Sequence, residues 1–220
     1  MRSIDVRCYE TRVPPLRDTD IRTAAKALLL ARAQSCPNTR IVEELGLSHG
    51  AARIDIAVIN GRIRGIEIKA EADTLSRLPR QVSAYGRVVD LATLIAAKRH
   101  IDTAAALVPG WWGIVEARKT GKGTVAFRRL RDERVNRGLD PMTLARLLWH
   151  AEVAQLLREL GADESLLRSP RGVLYAELVA ALPITRLRRA VRETLRTREN
   201  WRDRARPSSY DGSFQPIAMW

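Results

Sequence analysis

The chain has 220 residues, 45% of them apolar and 29% charged, which suits a soluble globular protein with one good core and room for a smaller module. No run approaches the eighteen or so uninterrupted apolar residues of a membrane span, and the opening MRSIDVRCYE lacks a signal-peptide core, so a cytoplasmic protein with no membrane partner is expected. A net charge of +13 favours a polyanionic partner; arginine supplies 33 of the 38 bases, a bias in which GC-rich coding has a large share but which leaves the excess of bases over acids unexplained.

Met1 to Leu16, with Pro14-Pro15, reads as a loosely held arm. Asp18 or Thr19 can cap a helix with Ile21, Ala24, Ala25, Leu28 and Leu29 at helical spacing, ending near Cys36-Pro37-Asn38. Cys8 and Cys36 have no metal-ligand spacing and are expected as free thiols. Arg40 to Leu47 predicts a first strand, and Ile54 to Ile59 and Ile63 to Lys69 flank the turn signal Asn60-Gly61 as a β-hairpin.

The hairpin carries charge in places an ordinary buried strand does not. Asp55 interrupts one strand, and Glu67 and Lys69 lie two apart on one face of the next. Strict alternation puts Ile54, Ile56, Val58, Ile66 and Ile68 on the other face, which accounts for part of the pattern. An acid, a turn and then acid-x-lysine is also a minimal set for metal-dependent phosphodiester hydrolysis: two carboxylates hold a hard cation and a lysine orients water. A two-residue loop at Asn60-Gly61 would pair Asp55 with Ile66 and send Glu67 to the opposite face. A shared metal therefore requires an odd loop or a bulge, most simply Ile59-Asn60-Gly61 with Gly61 left-handed.

Asp73 or Thr74 is a candidate cap for a helix with Pro79 in its first turn, running to about Val89 and carrying Gln81 and Tyr85 on one face. Leu91 to Ala97 predicts a buried strand, His100 to Val108 a short helix, Trp111 to Glu116 another strand and Thr124 to Phe127 an edge strand. Strands alternating with helices predict an α/β layer structure. The scattered His49, His100 and His150 suggest neither catalysis nor zinc.

The order Glu43-Glu44, Asp55, Glu67-Ile68-Lys69, Gln81-x-x-x-Tyr85 resembles the PD-(D/E)XK nuclease superfamily, in its RecB-like branch with the QxxxY signature. The likeness spans roughly residues 18–117 and departs from the pattern in lacking a proline before Asp55. It implies a restriction-endonuclease-like core with a central mixed sheet flanked by helices. It also implies a Mg²⁺-dependent (or Mn²⁺-dependent) deoxyribonuclease, with Asp55, Glu67 and the Ile68 carbonyl on the metal and Lys69 on the water. Glu44, or Glu43 in another strand register, would be the outer ligand; Gln81 and Tyr85 would hold the lysine or the substrate.

Beyond about residue 138 no strand pattern appears. Asp140-Pro141 opens a helical pattern that Gly161 stops, Ser169-Pro170 opens a second that Pro183 ends, and Ile184 to Leu195 makes a third. The expected division is a nuclease-like domain at 1–138, an arginine-rich helical module at 139–206 and a tail at 207–220. Arg77 and Arg80 on the helix of Gln81, and Arg186, Arg188, Arg189 and Arg192 in the last helix, are candidate DNA-phosphate contacts; a solvated face accounts for the latter equally well. Two further readings are a catalytically inactive nuclease-fold DNA-binding protein and an adaptor for an acidic protein.

Overall fold

The computed structural model describes residues 14–36, 38–47, 50, 52–199 and 201. In chain order these form α1 (Asp18–Gln34), β1 (Arg40–Leu47), β2 (Ala52–Ile59), β3 (Ile63–Lys69), α2 (Leu78–Gly86), β4 (Leu91–Ala97), α3 (Ile101–Leu107), β5 (Gly113–Lys119) and β6 (Val125–Arg131). Then come α4 (Pro141–Ala145), α5 (His150–Glu159), α6 (Glu164–Leu167), α7 (Arg171–Ala181) and α8 (Ile184–Thr197).

The strands make one mixed sheet whose spatial order is the chain order. β1, β2 and β3 form an antiparallel meander, β3–β4 and β4–β5 are parallel, and β6 closes the far edge antiparallel to β5. A parallel step needs a crossover, supplied by α2 for the first and by the Lys98–His100 turn with α3 for the second.

Both faces of the sheet are covered, as near-continuous apolar strands require. On one side Ile21 and Ala25 of α1 pack with Ile56, Val58, Ile66, Ile68 and Ile95. On the other, Ile59, Ile63, Leu94, Ala96 and Ile114 pack with Tyr85 and Val89, with Ala104 of α3, and with Leu144, Leu157, Leu178, Leu187 and Val191 of the C-terminal helices. The helical region is thus continuous with the core of the sheet, and the described residues on either side of residue 138 share that core. Arg188 of α8 seals the junction by pairing with Asp90, which also accepts the Ile63 N–H at 2.7 Å.

β1, β3 and β4 take the bounds expected of them; other elements differ for local reasons. Leu16 is buried, and its carbonyl accepts the Glu71 N–H, so this end of the expected arm is tied to the sheet; residues 1–13 lie outside the described residues. Arg17 is the N-cap of α1, its N–H donating to Asp20 Oδ2. Asp73 turns back to accept the Ala70 N–H, and α2 begins after Arg77. β5 starts at Gly113 because Trp112 closes a turn onto the Pro109 carbonyl and buries its ring against Tyr85, centroids 5.3 Å apart. The pattern from Pro141 to Leu160 breaks at Arg146–Trp149, where Trp149 turns extended and its N–H donates to Glu152. Cys36 is a free, exposed thiol; Cys8 and the tail from residue 202 lie outside the described residues.

Candidate metal and nucleic-acid site

Ile59 pairs with Ile63 across Asn60-Gly61-Arg62, so the hairpin loop has the expected odd length. It is displaced by one residue from Ile59-Asn60-Gly61, and Gly61 does not take a positive φ. Instead the Arg62 N–H donates to Asn60 Oδ1. The displacement matters, because carrying the register Ile56↔Ile66 one step further sets Asp55 directly across from Glu67. Opposed residues project to the same side of an antiparallel pair.

The ladder between β2 and β3 stops at Ile56↔Ile66, although β2 begins at Ala52 and β3 runs on to Lys69. Beyond that point the Asp55 side chain takes over: Oδ2 accepts the Ile68 N–H at 2.7 Å. The two strands therefore part with Asp55 and Glu67 at the apex. A residue's N–H and C=O leave the same side of a strand, so the Ile68 carbonyl faces this gap as well.

Alternation also changes phase here, contrary to the simple pattern. Ile54 joins the core of the C-terminal helices while Ile56 and Val58 join that of α1; on β1, Val42, Leu45 and Leu47 all belong to the former. The switch falls at Asp55 and at Glu44 opposite it, where Glu44 adopts φ 55°. A left-handed non-glycine residue costs about 1–2 kcal/mol, and such strain concentrates at functional sites.

Around the apex the side chains form one network. Lys69 Nζ donates to Glu67 Oε1 at 2.7 Å and to Gln81 Oε1 at 3.0 Å. Tyr85 Oη donates its one proton to Glu67 Oε2 at 2.6 Å, with the Arg53 carbonyl 3.2 Å away. Gly65 permits this approach, since a Cβ there would meet the Tyr85 ring at 3.1 Å. Glu67 and Lys69 are almost wholly buried, at 1% and 4% exposure.

Burial raises the Asp55 carboxyl above its ordinary range, against the stabilising Ile68 N–H and Arg22. Burial and then the charge of Asp55 raise Glu67 in turn, against Lys69. Burial likewise keeps Tyr85 protonated as a donor. Two facing carboxylates that both resist ionisation are poised to accept a cation.

Glu44 sits opposite Asp55, with Oε1 3.2 Å from Arg22 Nη1 and Oε2 3.0 Å from Arg53 Nε. Glu43 instead pairs with Lys26. Sequence reasoning missed Arg22, 33 residues before Asp55. Anchored on Asp18, it donates Nη1 to the Asp55 carbonyl at 2.9 Å and brings Nη2 within 3.3 Å of Asp55 Oδ1. Burial opposes its charge, but the bond to Asp18 and the three neighbouring carboxylates hold its pKa well above the usual value. Nothing in the periodicity of α1 distinguishes it.

Among the described residues no three His, Cys, Asp or Glu side chains form a ready metal cage. The donors nevertheless fit Mg²⁺, which keeps several waters and commonly takes only one or two carboxylates from the protein. Each engaged oxygen of Asp55 and Glu67 retains a lone pair beyond the bond it accepts.

The expected phosphate contacts fare unequally. Arg77, Arg80 and Arg186 are exposed and Arg192 is half-buried. Arg188 is committed to Asp90, and Arg189 donates to Glu193 at 2.9 Å. Among the described residues no helix is long and apolar enough to cross a membrane.

Comparison with known proteins adds a lineage. Protein cII of Enterobacteria phage P4 is 25% identical over 146 residues, covering 66% of this chain and 54% of that protein. The chain thus spans about half the length of this curated relative. No solved structure matches it. The family model described as Bacteriophage P4 protein cII matches residues 18–206, from the first turn of α1 past the end of α8, and the chain belongs to that family.

Proposed function

We propose that this chain is a Mg²⁺-dependent (or Mn²⁺-dependent) nuclease of PD-(D/E)XK type acting on DNA. The observation that carries the reading is the convergence of Asp55, Glu67, Lys69, Gln81 and Tyr85 from β2, β3 and α2 on one bonded network at the point where the sheet opens. The element order α1-β1-β2-β3-α2-β4 and the mixed sheet also support a restriction-endonuclease-like core. Asp55, Glu67 and the Ile68 carbonyl would hold the ion, with Glu44 as an outer ligand. Bound there, a divalent ion supplies a Lewis acid for the phosphoryl oxygens and lowers the pKa of its water. Lys69, positioned by Gln81, donates to the attacking water and keeps it in line with the phosphorus. Tyr85 fixes Glu67 and releases no proton. The net charge of +13 brings the polyanion to the site.

A second reading, an inactive nuclease-fold DNA-binding protein, draws on Arg22, whose guanidinium already neutralises Asp55 and Glu44 in part. The deciding experiment incubates purified protein with Mg²⁺ or Mn²⁺ on plasmid, linear and single-stranded DNA, beside Lys69→Ala and Asp55→Ala. Metal-dependent cleavage that both substitutions abolish supports the enzyme. DNA binding without cleavage under every condition favours the binder, and undiminished cleavage by Asp55→Ala removes the proposed site.

A further inference from the structure

One buried carboxylate has no part in that network. Glu116 on β5 is 1% exposed, and its two oxygens accept four donors: Arg118 Nε, Arg118 Nη2 at 3.0 Å, Arg128 Nε at 3.1 Å and Arg128 Nη2 at 2.8 Å. The arginines reach outward, their side chains 47% and 63% exposed. Their hydrogen bonds hold Glu116 below the ordinary carboxylate range, so it stays ionised.

Stability is a poor reason for this arrangement, because desolvating a carboxylate to meet surface arginines returns little net free energy. Its effect is to hold two guanidiniums side by side over one covered carboxylate, one net positive charge in excess. Each keeps its Nη1 donors free of any bond among the described residues, a geometry suited to phosphate oxygens.

Register relates this fork to the candidate site. Lys69 pairs with Ala96, Ala96 with Glu116 and Glu116 with Arg128, so all four lie in one row across the sheet. Only the methyl of Ala96 stands between Lys69 and Glu116 in that row. Two strand spacings separate them, about 10 Å. Lys98 and Arg99, both exposed, follow β4 at the same end of the parallel strands.

We propose that Arg118 and Arg128, held by Glu116, form a backbone-phosphate site for DNA about 10 Å from the bond that is cut. The phosphate site stands on its own geometry; its distance from the cut rests on the nuclease reading. The contact is to backbone and therefore independent of sequence.

The test measures affinity of the full chain for labelled duplex and single-stranded DNA in EDTA across a salt series, with cleavage in Mg²⁺ read separately. Arg118→Gln/Arg128→Gln should lower the duplex salt slope by about 1.8, two lost contacts at about 0.9 each. Glu116→Gln is the sharper variant: it adds a positive charge, so bulk electrostatics predicts tighter binding, whereas loss of the brace predicts binding weaker by about 3-fold to 10-fold. Tighter binding by Glu116→Gln, or a double Gln variant with wild-type slope, overturns the site. Should Glu116→Gln fail to fold, Arg118→Lys/Arg128→Lys decides, since it keeps both charges but loses the fork; unchanged affinity there is fatal. Wild type that binds DNA with the expected slope but never cleaves it refutes the nuclease reading alone. Wild type that cleaves, with a double Gln variant of unaltered affinity and slope, refutes the phosphate site alone. Wild type with no affinity for either DNA also overturns it.

Discussion

Asp55 and Glu67 share a gap in the sheet, and burial drives both toward protonation, whereas Arg188 on α8 is drawn down onto a buried carboxylate that needs it. The first arrangement leaves both carboxyls shifted toward the neutral form despite Arg22 and Lys69, at the place where β2 and β3 part. The second consumes charge. Along α8 and just beyond it, Arg188 serves Asp90, Arg189 serves Glu193, Arg196 bonds Asn38 at 3.3 Å, and Arg198 pairs with Glu152 under the rings of Trp149 and Trp201. Basic residues crowded on a helix therefore do not measure the charge available to a partner. An acid confined with another acid is the better pointer to chemistry, because burial and mutual repulsion oppose its charge.

The largest effect that sharpens this contrast is on stability. Arg188→Ala should cost about 3 kcal/mol, at the low end for breaking a buried pair because Arg188 is itself 29% exposed. Asp90, at 3%, would be left buried without its partner while still tied to the Ile63 N–H. Urea melts of Arg188→Ala and Arg192→Ala make the comparison, and equal midpoints would show that α8 is not pinned through Asp90.

Asp55→Asn should act in the opposite direction. A carboxyl whose folded pKa is raised binds protons more tightly in the native state than in the unfolded chain, so its stability contribution falls as pH rises through the window above the ordinary carboxylate value. At neutral pH the ionised group is a liability that Asn removes, while Asn can still accept from Ile68. In EDTA at pH 7 the variant should melt roughly 2–4 °C above wild type, the shift about 1 kcal/mol produces in a chain of this size. The advantage should vanish below about pH 4, where the wild-type carboxyl is protonated even in the unfolded chain. A variant less stable than wild type at both pH values would mean that Arg22 and Ile68 more than compensate the burial of Asp55.

How much of this was legible follows from where the determinants lie. β3 and β4 were readable to the residue because apolar runs end against Gly61 and Lys69 or Asp90 and Lys98, all local signals. The need for an odd hairpin loop was also readable, since parity is a property of the sequence alone. Its position was not: a loop of Asn60-Gly61-Arg62 costs no special backbone once Asn60 caps Arg62. β5 was misplaced because Trp111 and Trp112 resemble strand residues, while its true end, Arg118-Lys119, looks like a loop. In the sheet those charges are affordable because Arg118 is received by Glu116 and Lys119 by Asp20 of α1 at 3.4 Å. Arg22, Asp90 and Glu116 were invisible for a common reason: each takes its meaning from a partner that only the tertiary fold supplies.

The smallest expected effect concerns the α8 arginines that the fold has not consumed. Among the described residues the side chains of Arg186 and Arg192 make no hydrogen bond or ion pair, while those of Arg188 and Arg189 do. If α8 meets DNA at all, the counterions released there belong mainly to the first two. Arg186→Ala and Arg192→Ala should then each reduce the salt slope of duplex binding by about 0.9, and Arg189→Ala by less, since Glu193 already screens it. Cleavage at saturating DNA should be untouched, because α8 packs over β2 by way of the core and contributes nothing to the Asp55–Glu67 gap. Slopes that stay at the wild-type value for Arg186→Ala and Arg192→Ala would make α8 a solvated face, leaving the strand-end fork of Arg118 and Arg128 to account for binding. Equal losses at Arg186, Arg189 and Arg192 would instead mean that DNA displaces Glu193 from its partner, and that pairing in the free protein is a poor guide to which arginines a polyanion can recruit.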